Sequence, residues 1–277
     1  PDYAESTTSS DAWLNVKAGT DAALAMAMGH VILKEYYIDK ETPYFKEYAK
    51  EFTDMPFLVR VEDINGTVQP GRFLNAKDLG RQEEGADFQM VLIDELTNEI
   101  VVPNGTMGER HTNPQKWNLR LENRDTGAKI DPRLSVFDQR EDVTVVKLPY
   151  FGDEEHEGII ERAIPTITVQ TVDGPVKVTT VYDLILANYG IDRGIGGEVA
   201  TAYTDDTPYT PTWQEKITGV KADIAIATAR EFADNAEKTK GRSMIIMGGG
   251  INHWYHADVI YRTILNLIMF CGTEGVN

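Results

Sequence analysis

Apolar and polar positions divide the chain into an α/β opening, a β-rich middle and an α/β close. Ala12-Trp13-Leu14-Asn15-Val16 is a short apolar run of strand character, followed by Gly19-Thr20-Asp21. Residues 22–34 are rich in Ala, Met and Leu, apolar on nearly every side, and free of proline. That pattern predicts a buried helix with Thr20 or Asp21 near its N-cap. Pro43 opens a second helix in which Tyr44, Phe45, Tyr48, Ala49 and Phe52 recur at helical spacing as packing residues. These elements make up a first region over 1–55.

The character changes over 56–180. Phe57-Leu58-Val59-Arg60-Val61, Gln89-Met90-Val91-Leu92-Ile93, Glu99-Ile100-Val101-Val102, Val143-Thr144-Val145-Val146 and Thr166-Ile167-Thr168-Val169 are short runs rich in β-branched residues. Asn65-Gly66, Asn104-Gly105, Thr126-Gly127 and Asp173-Gly174 lie beside them as turn signals. The segment reads as an inserted β-rich layer with surface loops.

Helical patterning returns over 181–277. Residues 181–189 predict a short helix with Gly190 at its C-cap, and 212–217 predict another ending at Gly219. Residues 221–238 carry the clearest amphipathic pattern, with Ile224, Ala225, Ala227, Thr228, Ala229, Phe232 and Ala233 on one face and Gly241 as the stop. Ser243-Met244-Ile245-Ile246-Met247 reads as a fully buried strand of the parallel-sheet kind. Gly248-Gly249-Gly250 follows it, and then a helix over 253–270.

Charge narrows the functional classes. Across 277 residues, 44 acidic side chains outnumber 27 basic ones, for a net charge of −17. So acidic a surface argues against a nucleic-acid partner, because phosphate binding needs a basic patch. Cys271 is the single cysteine, so no internal disulfide and no thiolate metal or iron–sulfur site can form within this sequence alone. The chain opens on Pro1-Asp2-Tyr3 and closes on Gly275-Val276-Asn277, and both ends read as cut from a longer polypeptide.

Two junctions share one plan, an apolar run, a tight turn and then a helix N-terminus. The first is Gly19-Thr20-Asp21 and the second is Gly248-Gly249-Gly250-Ile251-Asn252-His253. In open α/β sheets, ligands settle beyond the carboxyl ends of the strands, where helix N-termini offer free N–H groups. Glycines let a ligand approach the backbone. Neither junction is a G-x-G-x-x-G fingerprint or a P-loop. Taken singly, a glycine turn also serves strand–helix packing, and an aspartate there also serves as an N-cap. His253 and His256, spaced i, i+3, can share one face of the last helix, with Asp258 nearby. They lack the further ligands a zinc site needs. His30, His111 and His156 are scattered, and the acidic pairs Glu83-Glu84 and Asp153-Glu154-Glu155 read as solvated loop charge.

At these junctions a family resemblance becomes visible. Lys17-Ala18-Gly19-Thr20-Asp21-Ala22-Ala23-Leu24 resembles the segment after a core strand in molybdopterin oxidoreductases of the dimethyl-sulfoxide-reductase superfamily. More specifically, Gly29-His30-Val31-Ile32-Leu33, Thr53-Asp54-Met55-Pro56, Lys116-Trp117-Asn118-Leu119, Pro149-Tyr150-Phe151-Gly152, Ala187-Asn188-Tyr189-Gly190, Gly241-Arg242-Ser243-Met244-Ile245-Ile246 and Asn252-His253-Trp254-Tyr255-His256 resemble the catalytic alpha subunits of membrane-bound respiratory nitrate reductases. The resemblance runs over essentially the whole chain.

The resemblance implies an α/β fold containing parts of two Rossmann-like layers with an inserted β-rich section. It implies an internal segment of a nitrate-reducing subunit, inactive by itself. The full subunit would carry molybdenum on two molybdopterin guanine dinucleotides and one [4Fe–4S] cluster, with the cluster and metal ligands outside this segment. Its partners would be the rest of the alpha subunit, an iron–sulfur beta subunit, a membrane quinol-oxidising subunit and nitrate. Attachment to the cytoplasmic face of the membrane would run through those partners. Carried over residue by residue, Gly19, Thr20 and Asp21 match a loop near one guanine dinucleotide tail, where an aspartate can accept the N1 and N2 hydrogens of guanine. Gly248 and Asn252 match pterin-contacting positions where relatives commonly have Met and Gln. His253 or His256 would support chemistry near the molybdenum face. Two rivals stand beside this reading: the same family acting on selenate, chlorate or perchlorate, and a non-catalytic nucleotide-binding or assembly module.

Overall fold

The computed structural model describes residues 5–105, 120–150 and 158–275. The sequence features at His111, His156, Asp153-Glu154-Glu155, Lys116-Trp117-Asn118-Leu119, Phe151-Gly152 and the extreme chain ends lie outside them.

The chain enters helix α1 (Asp21–Ile32), which passes without a break into a π-helical stretch (Leu33–Asp39), and then forms helix α2 (Pro43–Phe52). Strands β1 (Leu58–Ile64), β2 (Thr67–Phe73), β3 (Leu92–Ile93), β4 (Ile100–Val101), β5 (Pro103–Asn104) and β6 (Arg120–Asn123) follow. Strands β7 (Asp142–Pro149), β8 (Ile159–Thr171) and β9 (Gly174–Thr180) lead into helix α3 (Val181–Asn188). Helices α4 (Pro211–Thr218), α5 (Ala222–Thr239) and α6 (Ala257–Phe270) close the chain. These elements form two compact units. One comprises Pro1–Phe45, Tyr189–Asp192 and Val199–Asn277, and the other comprises Lys46–Asn188 and Arg193–Glu198.

The β unit is built on an antiparallel sheet of order β2-β1-β9-β8-β7. Its edge strands β2 and β7 approach each other, so the sheet curls. The β1–β2 hairpin turns at Asn65-Gly66, both at positive φ (56° and 82°), which matches the right-handed twist of the strands it joins. Strand β2 is not evident from its sequence, because Pro70 and Gly71 interrupt it. It tolerates the proline as an edge strand, where a missing N–H leaves no ladder bond unmade. The core of this unit gathers Leu58, Leu74, Val91, Ile93, Val136 and Val178. Asp183 at the start of α3 is buried there, accepting hydrogen bonds from Ser135 Oγ, Val136 N, Thr180 Oγ1 and Arg193 Nη1.

The helical unit is centred on α1, which is buried along nearly its whole length and packs against α4, α5 and α6. Helix α5 meets it through Ala225, Ala229, Ala233 and Ala236, a small-residue stripe that permits close approach. Ile224, expected on that inner face, is instead 43% exposed. Gly29 within α1 lies against the ring of Tyr189, and the adjacent His30 is buried with Nδ1 2.7 Å from the Tyr189 carbonyl. Among the described residues, no helix is long and apolar enough to cross a membrane.

Several expectations need correction. Ala12-Trp13-Leu14-Asn15-Val16 forms no strand, because no neighbouring strand pairs with it among the described residues, and Trp13 is 45% exposed. Residues 243–247 are neither paired nor fully buried. The helix expected from His253 begins at Ala257, and a separate 3₁₀ turn (Ile251–His253) precedes it. Of the strands expected at 89–93 and 99–102, only Leu92–Ile93 and Ile100–Val101 form ladders.

Candidate functional site

The first junction is a β-turn closed by Thr20 N donating to the Lys17 carbonyl at 3.1 Å. Gly19 occupies its third position with φ +83°, a conformation that strains residues bearing a Cβ. Thr20 stands at the N-cap position of α1, but its Oγ1 donates to the Lys17 carbonyl at 2.7 Å and does not cap the helix. Lys17 N donates to the Thr218 carbonyl at 2.9 Å, which ties the turn to the end of α4. Asp21 is therefore not the cap. It sits in the first turn of α1, half-buried, and its carboxylate has no hydrogen-bond or ion-pair partner among the described residues. A carboxylate there is favoured by the helix dipole and remains available as an acceptor.

The second junction has a different construction. Gly248, Gly249 and Gly250 are all exposed, and none has a positive φ. A Cβ on any of the three would meet no atom within 4 Å. Neither backbone conformation nor packing among the described residues demands glycine here, which departs from the tight strand–helix packing that such turns often serve. Asn252 is exposed, and its side-chain amide has no partner among the described residues.

Trp254, the residue that follows the second junction, packs on the first. A Cβ added at Gly19 would lie 3.0 Å from Cδ2 and Cε3 of the indole. The residues connecting the glycine run to α6 are thereby seated on the first turn. Sequence reasoning places Trp254 in a motif but assigns it no role. Its exposure (46%) and the glycine it covers, 235 positions earlier, are linked only by the tertiary fold.

The histidines do not share a helix face. His253 ends the 3₁₀ turn and His256 occupies the N-cap position of α6, both exposed. His256 lies edge-on to the Tyr255 ring at 4.4 Å, and Tyr255 is 93% exposed. Among the described residues, no three His, Cys, Asp or Glu side chains stand together as a metal cage. Cys271 is fully buried, and burial pushes its thiol well above the usual range, so it is a packing residue. Along the sequence, Asp21 is the acid of the first turn, and 241–257 contains none before Asp258. What the region offers a ligand is open backbone at three glycines, an amide, one carboxylate and exposed aromatic rings.

The chain is 49% identical over 277 residues to the nitrate reductase alpha chain of Bacillus subtilis (strain 168), covering all of this chain and 22% of that protein. It is 45% identical over 288 residues to the respiratory nitrate reductase 1 alpha chain of Escherichia coli (strain K12), covering 99% of this chain and 23% of that protein. It is 46% identical over 282 residues to the nitrate reductase alpha subunit of Mycobacterium tuberculosis (strain CDC 1551 / Oshkosh), covering 100% of this chain and 22% of that protein. The chain thus spans less than a quarter of the length of these relatives. The family model for molybdopterin oxidoreductases matches residues 1–277, and the chain belongs to that family.

Proposed function

We propose that this chain is a segment of the catalytic subunit of a molybdenum-dependent respiratory nitrate reductase, and that its two junctions form part of the cofactor cradle. The observation that carries the cradle is the run Gly248-Gly249-Gly250. It is exposed, with no demand for glycine from the described residues around it, and it leads into a segment seated on the Gly19 turn. A bulky planar ligand lying on bare backbone would supply that demand. The nitrate assignment rests on relatives at 45–49% identity whose names state that activity.

The residues present fit a molybdopterin guanine dinucleotide. Asp21 would accept the paired N1 and N2 hydrogens of guanine, with Gly19 and Thr20 shaping the turn beneath. Gly248 would admit the pterin to the backbone, and the Asn252 amide, with both donors and an acceptor, would bind its polar edge. His253 or His256 would hold or deliver a proton beside the cofactor. When bound, the molybdenum centre would supply the two-electron reduction that removes an oxygen atom from nitrate. Two such dinucleotides and a [4Fe–4S] cluster held by ligands elsewhere complete this reading. So do an iron–sulfur subunit and a membrane quinol-oxidising subunit, through which the enzyme sits at the cytoplasmic face of the membrane.

The test is made in the full-length subunit. Gly249→Val and Asp21→Asn should each lower molybdenum and pterin content per polypeptide while the thermal unfolding midpoint of the cofactor-free protein is retained. Unchanged cofactor content in both variants would remove the cradle assignment. Turnover of the full enzyme with nitrate, chlorate, perchlorate and selenate separates the oxyanions. The 277-residue segment alone, given reduced viologen, should form no nitrite.

A further inference from the structure

Trp254 meets Gly19 through a part of its ring that only a face can offer. An ideal Cβ on Gly19 would stand 3.0 Å from Cδ2 and Cε3 and 3.2 Å from Cε2. Cδ2 is bonded to three other ring carbons, so nothing reaches it from the ring edge. The glycine backbone therefore lies against one flat face of the indole. Trp254 is nonetheless 46% exposed. Its backbone is tied to the start of α6, with its carbonyl accepting from Ala257 N at 3.1 Å. Among the described residues, no aromatic ring or cation packs on the indole, and no acceptor meets its Nε1–H.

A ring held flat on one side and open on the other is a stacking platform. Covering Gly19 accounts for the inner face and leaves the outer one without a use. An indole face takes planar π systems whatever the pattern of their edges. The turn beneath identifies the planar group that fits. Asp21 stands two positions beyond Gly19, within about 7 Å along the chain. Its carboxylate meets no donor among the described residues. A carboxylate accepts two parallel N–H bonds from a planar edge. The 2-amino-4-oxopyrimidine ring, common to guanine and pterin, is flat and presents such a paired edge.

We infer that the outer face of Trp254 stacks this ring of the cofactor, while Asp21 accepts its paired N–H edge. Gly19 backs the platform, because a Cβ there would tilt the indole. The inference rests on the proposed function and deepens it by naming the residue that holds the ring flat. Stacking does not read the edge, so Trp254 sets how tightly a ring is held and Asp21 sets which ring it is.

The test uses the full-length subunit prepared free of cofactor. Equilibrium dialysis measures binding of guanosine, inosine and adenosine diphosphates and of 6-hydroxymethylpterin. Trp254→Leu keeps an apolar cover on Gly19 but removes the π face, and it should weaken every ring the parent binds by about ten-fold or more. Trp254→Phe retains a face and should stay within about three-fold of the parent. Asp21→Asn should abolish the preference for guanine over inosine and adenine. Where the free rings bind too weakly to measure, the rate at which guanine and pterin leave the loaded subunit in mild urea replaces affinity, with the same expected ratios. A loss in Trp254→Leu for the guanine nucleotide assigns guanine to the platform, and a loss for the pterin alone assigns pterin. Parent-like values in Trp254→Leu overturn the inference and leave the cradle intact, as when an arginine from elsewhere in the polypeptide covers the indole. An equal loss in Trp254→Phe and Trp254→Leu also overturns it, because it marks a packing role. A full-length subunit that contains no molybdenum or pterin and binds none of the four rings defeats both this inference and the functional reading.

Discussion

Gly19 lies directly beneath the indole of Trp254, close enough that a single added methyl would stand 3.0 Å from the ring. Two constraints meet at that glycine, because its φ of +83° already disfavours any other residue. The contact is what seats the segment after the glycine run on the first turn.

Gly19→Ala should therefore destabilise the helical unit by about 2 kcal/mol, part from backbone strain and part from the displaced indole. In a Trp254→Ala background the steric part disappears, and the cost should fall to about 1 kcal/mol. Urea unfolding of the four proteins of this cycle measures the coupling. Equal costs in both backgrounds would show that the indole does not rest on Gly19.

Gly29 gives a second case with a different cause. It sits inside α1, where alanine would ordinarily stabilise by about 1 kcal/mol. A Cβ there would stand 2.4 Å from Cε1 of the buried Tyr189 ring, so Gly29→Ala should instead destabilise, by about 1–2 kcal/mol net. Tyr189→Phe should not rescue it, because the obstruction is the ring edge and not the hydroxyl that accepts from Asn266 Nδ2. The thermal midpoints of the two single variants and the double variant decide this.

These glycines show what a sequence discloses and what it withholds. Helix α1 follows from its proline-free, apolar composition, α4 and α5 from local periodicity, and the Asn65-Gly66 hairpin from turn chemistry that needs no distant partner. Strand β2 escapes detection because Pro70 and Gly71 break the pattern, and what makes it a strand is its pairing with β1. Residues 243–247 announce burial by composition, yet they are neither paired nor fully buried among the described residues. The two turns are legible as candidates one at a time. The seating of Trp254 on Gly19 is not, because it depends on residues 235 positions apart. The same holds for the unfavoured glycines: only the space around Gly249 separates it from the packed Gly29.

That separation is itself measurable. Gly249→Ala meets open space at an ordinary φ, so it should change stability by less than about 0.5 kcal/mol in the cofactor-free protein. A loss comparable to that of Gly29→Ala would mean that an unseen packing demand, and not a ligand, keeps glycine at this position.

Asp183 should be a costly polar substitution in the β unit. It is 1% exposed and gathers four donors, including the Arg193 guanidinium, which is itself only 10% exposed at the side chain. Asp183→Asn leaves that guanidinium without its counter-charge and turns an amide N–H toward donors. Breaking a buried pair on one side costs about 3–5 kcal/mol, and the retained carbonyl places this change near about 3 kcal/mol. A lower urea midpoint at unchanged slope is the expected reading.

The helical unit should carry an acid-sensitive element at Glu35. Burial pushes this carboxyl upward, but hydrogen bonds from Arg230 and Tyr203, with the nearby charge of Lys40, outweigh it and hold the group below the usual glutamate range. Arg230 Nη2 donates to Oε1 at 2.6 Å and Nε reaches both oxygens, while Tyr203 Oη donates at 2.9 Å. Burial, together with the Glu35 charge, keeps the Tyr203 hydroxyl protonated and therefore a donor throughout the neutral range. A carboxyl whose folded value lies below its unfolded value stabilises the fold fully above the unfolded value, about 4.3. That contribution is lost as pH falls through the folded value. Arg230 is half-exposed, so solvent screening limits the pair to about 1 kcal/mol. Glu35→Gln should thus be less stable than the parent by about that amount at pH 7, and the two stability curves should converge below about pH 4. Curves that stay parallel from pH 7 to pH 3 would show that the loss comes from altered packing and not from the ionised pair.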